Sequence, residues 1–212
     1  FLVDRAAMGG EDGATHHGVY GANFMRQMPH MQVFNPRSIQ EMAWMIRWAL
    51  SQDGPCAIRY PKAEHSLMRS YPCKGFSPGK WEELEKGQDI ALVATGTMVA
   101  EAFMARQLLR ERGHRAAVIN ASSIKPLDFS LIKRLSDSGI AYAVIEEQAL
   151  MGGLGSAIGE YCIQEGLRAP EHIFAIPDRF ITQGQHSELI GELGLRGEDI
   201  ACEIAGRMAK TA

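Results

Sequence analysis

Short apolar runs alternate with amphipathic stretches along this chain. Phe1–Val3, Met31–Phe34 and Cys56–Tyr60 are brief apolar runs bounded by Gly, Pro, Asn or charge, and they predict buried strands. Between them, Gly21–Met28 predicts a short helix. Ile39, Met42, Met45 or Ile46, and Ala49 recur at helical spacing and predict a helix running to about Leu50. Its start is marked twice: Asn35-Pro36 halts the preceding strand, and Ser38 with Glu41 three residues later forms a capping box. Asp53-Gly54-Pro55 predicts a turn.

The same alternation returns after Gln88. Asp89–Thr95, Arg115–Ala121, Ile140–Ile145 and Ile173–Ile176 predict four strands. Helices are expected at Met98–Arg112 (Thr97 before it, Gly113 after), from Pro126 and Asp128 to about Leu135, within Gly152–Gly166, at His186–Glu192 and at Glu198–Met208. Strand and helix in turn, joined by short loops, imply the α/β class: three-layer sandwiches with mostly parallel sheets and right-handed crossovers. Lys62–Gln88 breaks the rhythm. Pro72, Gly75, Pro78, Gly79 and Gly87 stand there among mixed charges, which predicts a linker with room for a hairpin. The expected division is therefore 1–61, a linker at 62–88, and 89–212. Phe1 opens within an apolar run without a lead-in, as expected of a C-terminal fragment of a longer chain whose first sheet is incomplete.

Composition narrows the partners. The 212 residues are 46% hydrophobic and 22% charged with net charge -3, which fits a protein that buries a sizeable core. There is no basic block to suggest nucleic acid, and no run near the ~20 apolar residues that span a bilayer. Cys56, Cys73, Cys162 and Cys202 are widely spaced without a CxxC, as in a reduced, cytoplasmic protein.

Candidate chemistry concentrates in Asp4–Gly18. This turn-rich segment gathers Arg5, Glu11, Asp12, His16 and His17 among glycines 9, 10, 13 and 18. Arg5 and Arg59 each sit beside a predicted strand end, where a guanidinium can grip a phosphate or form a surface ion pair. His16 and His17 follow Asp12 closely enough for a carboxylate and an imidazole to meet in proton transfer, although loop histidines can also be merely solvated. His30, His65, His114, His172 and His186 carry no supporting pattern. Gly152–Gly159 has GxGxxxG spacing in the wrong context for a dinucleotide loop. Its glycines are expected to let a helix start pack on its strand or on a neighbouring subunit. Glu146 and Glu147 are either a solvated pair or, at a strand's C-terminal end, face a ligand or an interface.

Taken together, several segments resemble the transketolase-like thiamine-diphosphate enzymes. Asp4-Arg5-Ala6 with Gly10–His16 is similar to their DRAG…G-x-DGPTH loop, and Ile58–Pro61 to their (V/I)RYP strand. Ile124–Asp128 is similar to their KPLD turn, and Glu146-Glu147 with Met151–Ser156 to VEE…GG-x-GS. The ending, Ile176–Ile181 with Gly184 and Glu192–Leu195, resembles the LPD-x-FI…G…ELGLD of the 1-deoxy-D-xylulose-5-phosphate synthase branch. The resemblance runs in order along nearly the whole chain. Ala14, Lys62-Ala63 and Asn35–Ser38 depart from the pattern without removing a functional side chain.

The resemblance implies part of a pyrimidine-binding domain followed by a complete transketolase C-terminal domain. It implies thiamine diphosphate and Mg²⁺, bound mainly by residues before Phe1, and a homodimer. The implied substrates are pyruvate and glyceraldehyde 3-phosphate. Arg5 and Arg59 would clamp the aldehyde's phosphate, His16 would shuttle a proton, and Asp12 would hold a substrate hydroxyl or orient His16. An isolated chain of this extent is expected to be inactive. A split transketolase subunit and a non-catalytic module with the same C-terminal fold remain open as alternatives.

Overall fold

The computed structural model describes residues 1–62 and 65–211. Two mostly parallel sheets organise it. The first has four strands in the order β1 (Leu2–Val3), β3 (Cys56–Arg59), β2 (Gln32–Phe34), β7 (Ser123–Lys125). The second has five, in the order β4 (Glu82–Glu85), β6 (Ala116–Asn120), β5 (Ile90–Ala94), β8 (Ala141–Ala149), β9 (His172–Ile176). Within the sheets only β4 on β6 and β7 on β2 pair antiparallel. The α/β class read from the alternation of elements is the class observed.

Helices cover both faces of the second sheet, and residue parity decides which helix each strand residue meets. Ile90, Leu92 and Ala94 point to the layer of α3 (Met98–Glu111) and α7 (Gly197–Thr211). Ala91 and Val93 point to the layer of α4 (Phe129–Ser138) and α5 (Leu154–Glu165). In the first sheet, Phe34 and Ile58 pack against Met45 of α2 (Ile39–Ala49), with Trp48 and Phe76 edge-on to Phe34 at 5.4 and 4.9 Å. Val33 faces the other way, to Ala22 of α1 (Gly21–Gln27) and Ile124 of β7.

The segment expected as a linker is more structured than its composition suggests. It holds a 3-10 turn at Ser66–Ser70, the buried Trp81, and β4, which extends the second sheet. Ala63 and Glu64, within that segment, lie outside the described residues. Strand β7 was not foreseen either. It follows β6 directly, yet joins the first sheet, so a residue stretch beyond Gln88 completes the sheet of the first sixty residues.

The start of α2 keeps one of the two bonds of the expected capping box, and the second goes to the residue before the cap. Ser38 Oγ accepts Glu41 N–H at 3.1 Å, and the Glu41 carboxylate turns back to accept Arg37 N–H at 2.7 Å. Its other oxygen accepts Asn120 Nδ2 at 2.6 Å, so the cap also ties α2 to the end of β6. Burial pushes the Glu41 carboxyl up, against the pull of Arg37. Ser38→Ala is expected to lower stability by about 1 kcal/mol. A urea unfolding midpoint unchanged from the parent would show that the cap contributes nothing.

Candidate active site

The segment Asp4–Gly18 leaves β1 and returns to the sheet edge at Gly18. Its two ends touch: Ala6 and Ala7 bridge to Gly18, whose N–H donates to the Ala7 carbonyl at 2.8 Å. The approach is so close that a Cβ on Gly18 would lie 2.1 Å from the Arg5 carbonyl oxygen, so no other residue fits there. Arg5 and Ala7 themselves hold φ of 54° and 80°, a left-handed conformation that costs an L residue roughly 1–2 kcal/mol. Strain of this kind persists only where the surroundings impose it.

Those surroundings come from three directions. From the first sheet, Arg59 donates through Nη2 to the Gly18 carbonyl at 2.5 Å and through Nη1 to Asn35 Oδ1 at 3.1 Å. From the second sheet, Glu147 Oε1 accepts Met8 N–H at 2.9 Å. From the C-terminal segment, the Thr182 carbonyl meets His17 Nε2 at 3.2 Å, and Gly184 N–H donates to the Gly10 carbonyl at 3.4 Å. Met8 and Val19, which flank the charged turn, are buried in the core beside α3.

The two histidines separate cleanly. His17 is buried, and its Nδ1 accepts Gly9 N–H at 2.9 Å, so Nε2 carries the hydrogen toward Thr182. It is a structural residue. His16 is exposed, with Thr15 Oγ1 on its Nδ1 at 2.9 Å. Asp12 does not reach either ring. Its carboxylate takes Arg5 Nη1 at 2.6 Å, because a guanidinium offers a charge-assisted bond that an imidazole at the loop tip does not match. Both partners stay partly open, with side-chain exposures of 41% and 30%, so the pair orients the loop more than it stabilises it.

Arg59 lies behind this surface rather than on it, at 1% exposure. Burial lowers its guanidinium to about 10, partly offset by Glu146. Its Nε, Thr95 Oγ1 and both polar ends of Gln148 have no protein partner among the described residues. These residues line a cavity of about 20 Å³, enough for about one water and too small for a phosphate.

Glu146 and Glu147 are not a solvated pair; both are buried. Glu146 accepts Leu154 N–H at 2.7 Å and Gly155 N–H at 2.8 Å, filling the N-terminus of α5, the position that bound anions take at open helix N-termini. Burial pushes its carboxyl up to about 7, against those amides, Arg26 and Arg59. The glycine-rich turn exists to allow this packing: a Cβ on Gly153 would come within 2.4 Å of Glu146 Oε2, and one on Gly155 within 2.5 Å of Ile173 Cγ2.

This architecture coincides with known families. Residues 1–66 match the transketolase pyrimidine binding domain, and residues 79–200 match the transketolase C-terminal domain. The chain belongs to the transketolase family. The 1-deoxy-D-xylulose-5-phosphate synthase of Clostridium tetani (strain Massachusetts / E88) is 36% identical over 204 residues, covering 96% of this chain and 33% of that protein. The protein of the same name from Pelotomaculum thermopropionicum (strain DSM 13744 / JCM 10971 / SI) is 37% identical over 212 residues, covering 99% and 33%. Among solved structures, a split gene transketolase described as an inactive beta4 tetramer superposes with a TM-score of 0.80 at 28% identity, covering 97% of this chain and 64% of that one. Transketolase from Campylobacter jejuni subsp. jejuni NCTC 11168 shares the fold, with a TM-score of 0.73 at 18% identity, covering 97% and 31%. The chain spans about a third of the length of the curated relatives it matches.

Against the transketolase pattern DRAG, this chain carries Ala7 at the glycine position, which is where φ is 80°. Ala7→Gly is expected to raise stability by about 1 kcal/mol by relieving that strain, net of the added freedom of the unfolded chain. Denaturant unfolding checks it; a loss of stability would mean that the Ala7 methyl contributes packing exceeding the strain.

Proposed function

We propose that this transketolase-family chain forms the phosphoaldehyde-facing wall of a thiamine-diphosphate-dependent transferase. The reaction condenses pyruvate, with loss of carbon dioxide, and glyceraldehyde 3-phosphate to 1-deoxy-D-xylulose 5-phosphate. The observation that carries this reading is the loop Asp4–Gly18, fixed from behind on three sides while Arg5, Asp12 and His16 stay on its open side. The synthase name borne by relatives 36–37% identical supports the choice of substrates.

Each open residue has a defined task. Arg5 offers a guanidinium to the phosphate, and Asp12 orients it through one carboxylate oxygen while the other is available to a substrate hydroxyl. Addition to an aldehyde develops negative charge on the carbonyl oxygen. His16, whose Nε2 has no partner among the described residues, can donate a proton to it. Arg59 adds a second positive charge behind the same loop and fixes the Gly18 carbonyl.

Thiamine diphosphate and Mg²⁺ are the cofactors this reading needs, and the residues here do not fit the diphosphate and metal. No cluster of three or more His, Cys, Asp or Glu suited to a metal occurs among the described residues, and Glu146 already occupies the N-terminus of α5. Their seat is assigned to the portion of the longer relatives that this chain does not span. The working unit is proposed to be a cytoplasmic homodimer. No described helix is long and apolar enough to cross a membrane. Residues 1–61 are assigned to the pyrimidine-binding domain and 89–212 to the C-terminal domain, with 62–88 connecting them and adding β4 to the second sheet.

The similarity to a split gene transketolase supports a second reading, in which this chain is the C-terminal subunit of a split transketolase. In the longer enzyme carrying this chain, Arg5→Ala is expected to raise KM for glyceraldehyde 3-phosphate by about 10-fold or more, which is about 1.4 kcal/mol, and to leave KM for pyruvate unchanged. His16→Ala is expected to lower kcat by roughly 10²–10³-fold. Unaltered kinetics in both variants would leave a non-catalytic module, and turnover that requires a separate N-terminal chain would establish the second reading.

A further inference from the structure

One short polar contact lies behind the loop and touches none of the reacting groups. His186, the first residue of α6 (His186–Glu192), places Nε2 2.6 Å from Glu147 Oε1. That oxygen is the same one that accepts Met8 N–H at 2.9 Å. The other oxygen of Glu147 accepts Thr97 Oγ1 at 2.8 Å, at the start of α3. A single carboxylate, 3% exposed, thus holds the loop, α3 and α6 together.

We propose that His186 is a positioning residue for the substrate-facing loop: its hydrogen bond to Glu147 fixes the carboxylate on which Met8 and the turn beyond it are hung. The proposal rests on the reading of that loop as the phosphoaldehyde wall. The path is short. Met8 leads through Gly9, whose N–H is on His17, to Gly10, which is bonded to Gly184 two residues before His186. The turn Gly10–Asp12 packs on α6 itself, and Asp12 carries Arg5. A shift of α6 against Glu147 therefore moves both ends of the turn that presents Arg5 and Asp12.

This contact responds to pH. The hydrogen bond to Glu147 raises the His186 pKa above its ordinary 6.5; burial opposes this, and Glu147 and Glu101 add to it through their charge. Glu101 of α3 also accepts Gly197 N–H at 2.7 Å. The turn packed on α6 brings Glu11 and Asp12, the latter engaged by Arg5, and α6 itself brings Glu188, on the N–H of Gln185. The cation at the far side, Arg196, is bonded to the Ser187 carbonyl at 2.6 Å. Because the folded-state pKa lies above the unfolded one, the stabilisation is full below about pH 6.5 and is lost as pH rises through the raised value. A neutral imidazole can still donate to Glu147, so the clamp weakens without vanishing.

The test is amide hydrogen exchange on the 212-residue chain, followed by NMR as protection factors between about pH 5.5 and about pH 8.5. In the parent, protection of Met8 and Gly9 is expected to fall several-fold across this range, with its midpoint above about 6.5. In His186→Gln, which keeps a donor without a titrating charge, protection stays at the lower level throughout. In His186→Ala it falls further. Amides of β5 serve as the reference and should not move. Equal protection in parent and both variants overturns the proposal, as does an undiminished pH dependence in His186→Gln, which would assign the titration to a group other than His186. A parallel measurement separates the two levels of inference. In the longer enzyme, His186→Ala should raise KM for glyceraldehyde 3-phosphate by a larger factor than it lowers kcat. If the loop loosens in exchange but this KM does not move, the clamp stands and the substrate reading of the loop fails.

Discussion

The carboxylate of Glu147 is the constraint on which the candidate site depends. An ionised group that is 3% exposed persists only if its lone pairs are filled, and they are filled by donors from three separate parts of the chain. Met8 belongs to the loop, Thr97 to the start of α3, and His186 to α6. None of the three can leave without exposing the others to an incompletely paired buried charge. That interdependence is what allows a loop to hold two non-glycine residues at positive φ, a geometry the isolated segment would relax.

A second set of polar contacts, some buried and some at the surface, ties the rest of the structure together. Arg59 joins Gly18 and Asn35 behind the loop, and Glu41 joins the start of α2 to Asn120 at the end of β6. Arg26 of α1 makes a bidentate pair with Glu160 of α5, at 2.9 and 2.6 Å, while Lys125 of β7 donates to the carbonyls of Arg26 and Met28. Strand β7 then completes the first sheet from within the later half of the chain. The loop is thus a product of both halves, and its open side is the surface left after each half has contributed its bonds from behind.

What could be read in advance follows from the range of the forces involved. Strand and helix periodicity and the Ser38–Glu41 bond are local, and the sequence carries them within a few residues; the glycines at 153 and 155 are legible as close-packing positions, although Gly155 packs on Ile173 of strand β9. Strands β4 and β7 are short, and each is defined by a partner far along the chain, so neither has a periodic signature of its own. The loop was conspicuous by its density of charge and glycine. The division of labour inside it was not: His17 turns inward to Gly9 and Thr182, His16 outward, and Asp12 chooses Arg5. His186 had no neighbouring signal because its partner lies 39 residues away. The ending that carried the finest resemblance, Ile176–Leu195, contains the residues that close onto the loop, which gives that likeness a physical basis: Thr182, Gly184 and His186 make the contacts.

These arrangements make one claim that kinetics can isolate: the loop is a phosphoaldehyde wall whose geometry is set from behind by Glu147. The most direct measurement is steady-state kinetics of Glu147→Gln in the longer enzyme, a substitution that keeps the side chain's shape and removes the charge. A rise in KM for glyceraldehyde 3-phosphate of about 10-fold is expected, equivalent to about 1.4 kcal/mol, with KM for pyruvate unchanged. An unchanged KM for the phosphoaldehyde, or an equal rise for both substrates, would contradict the claim.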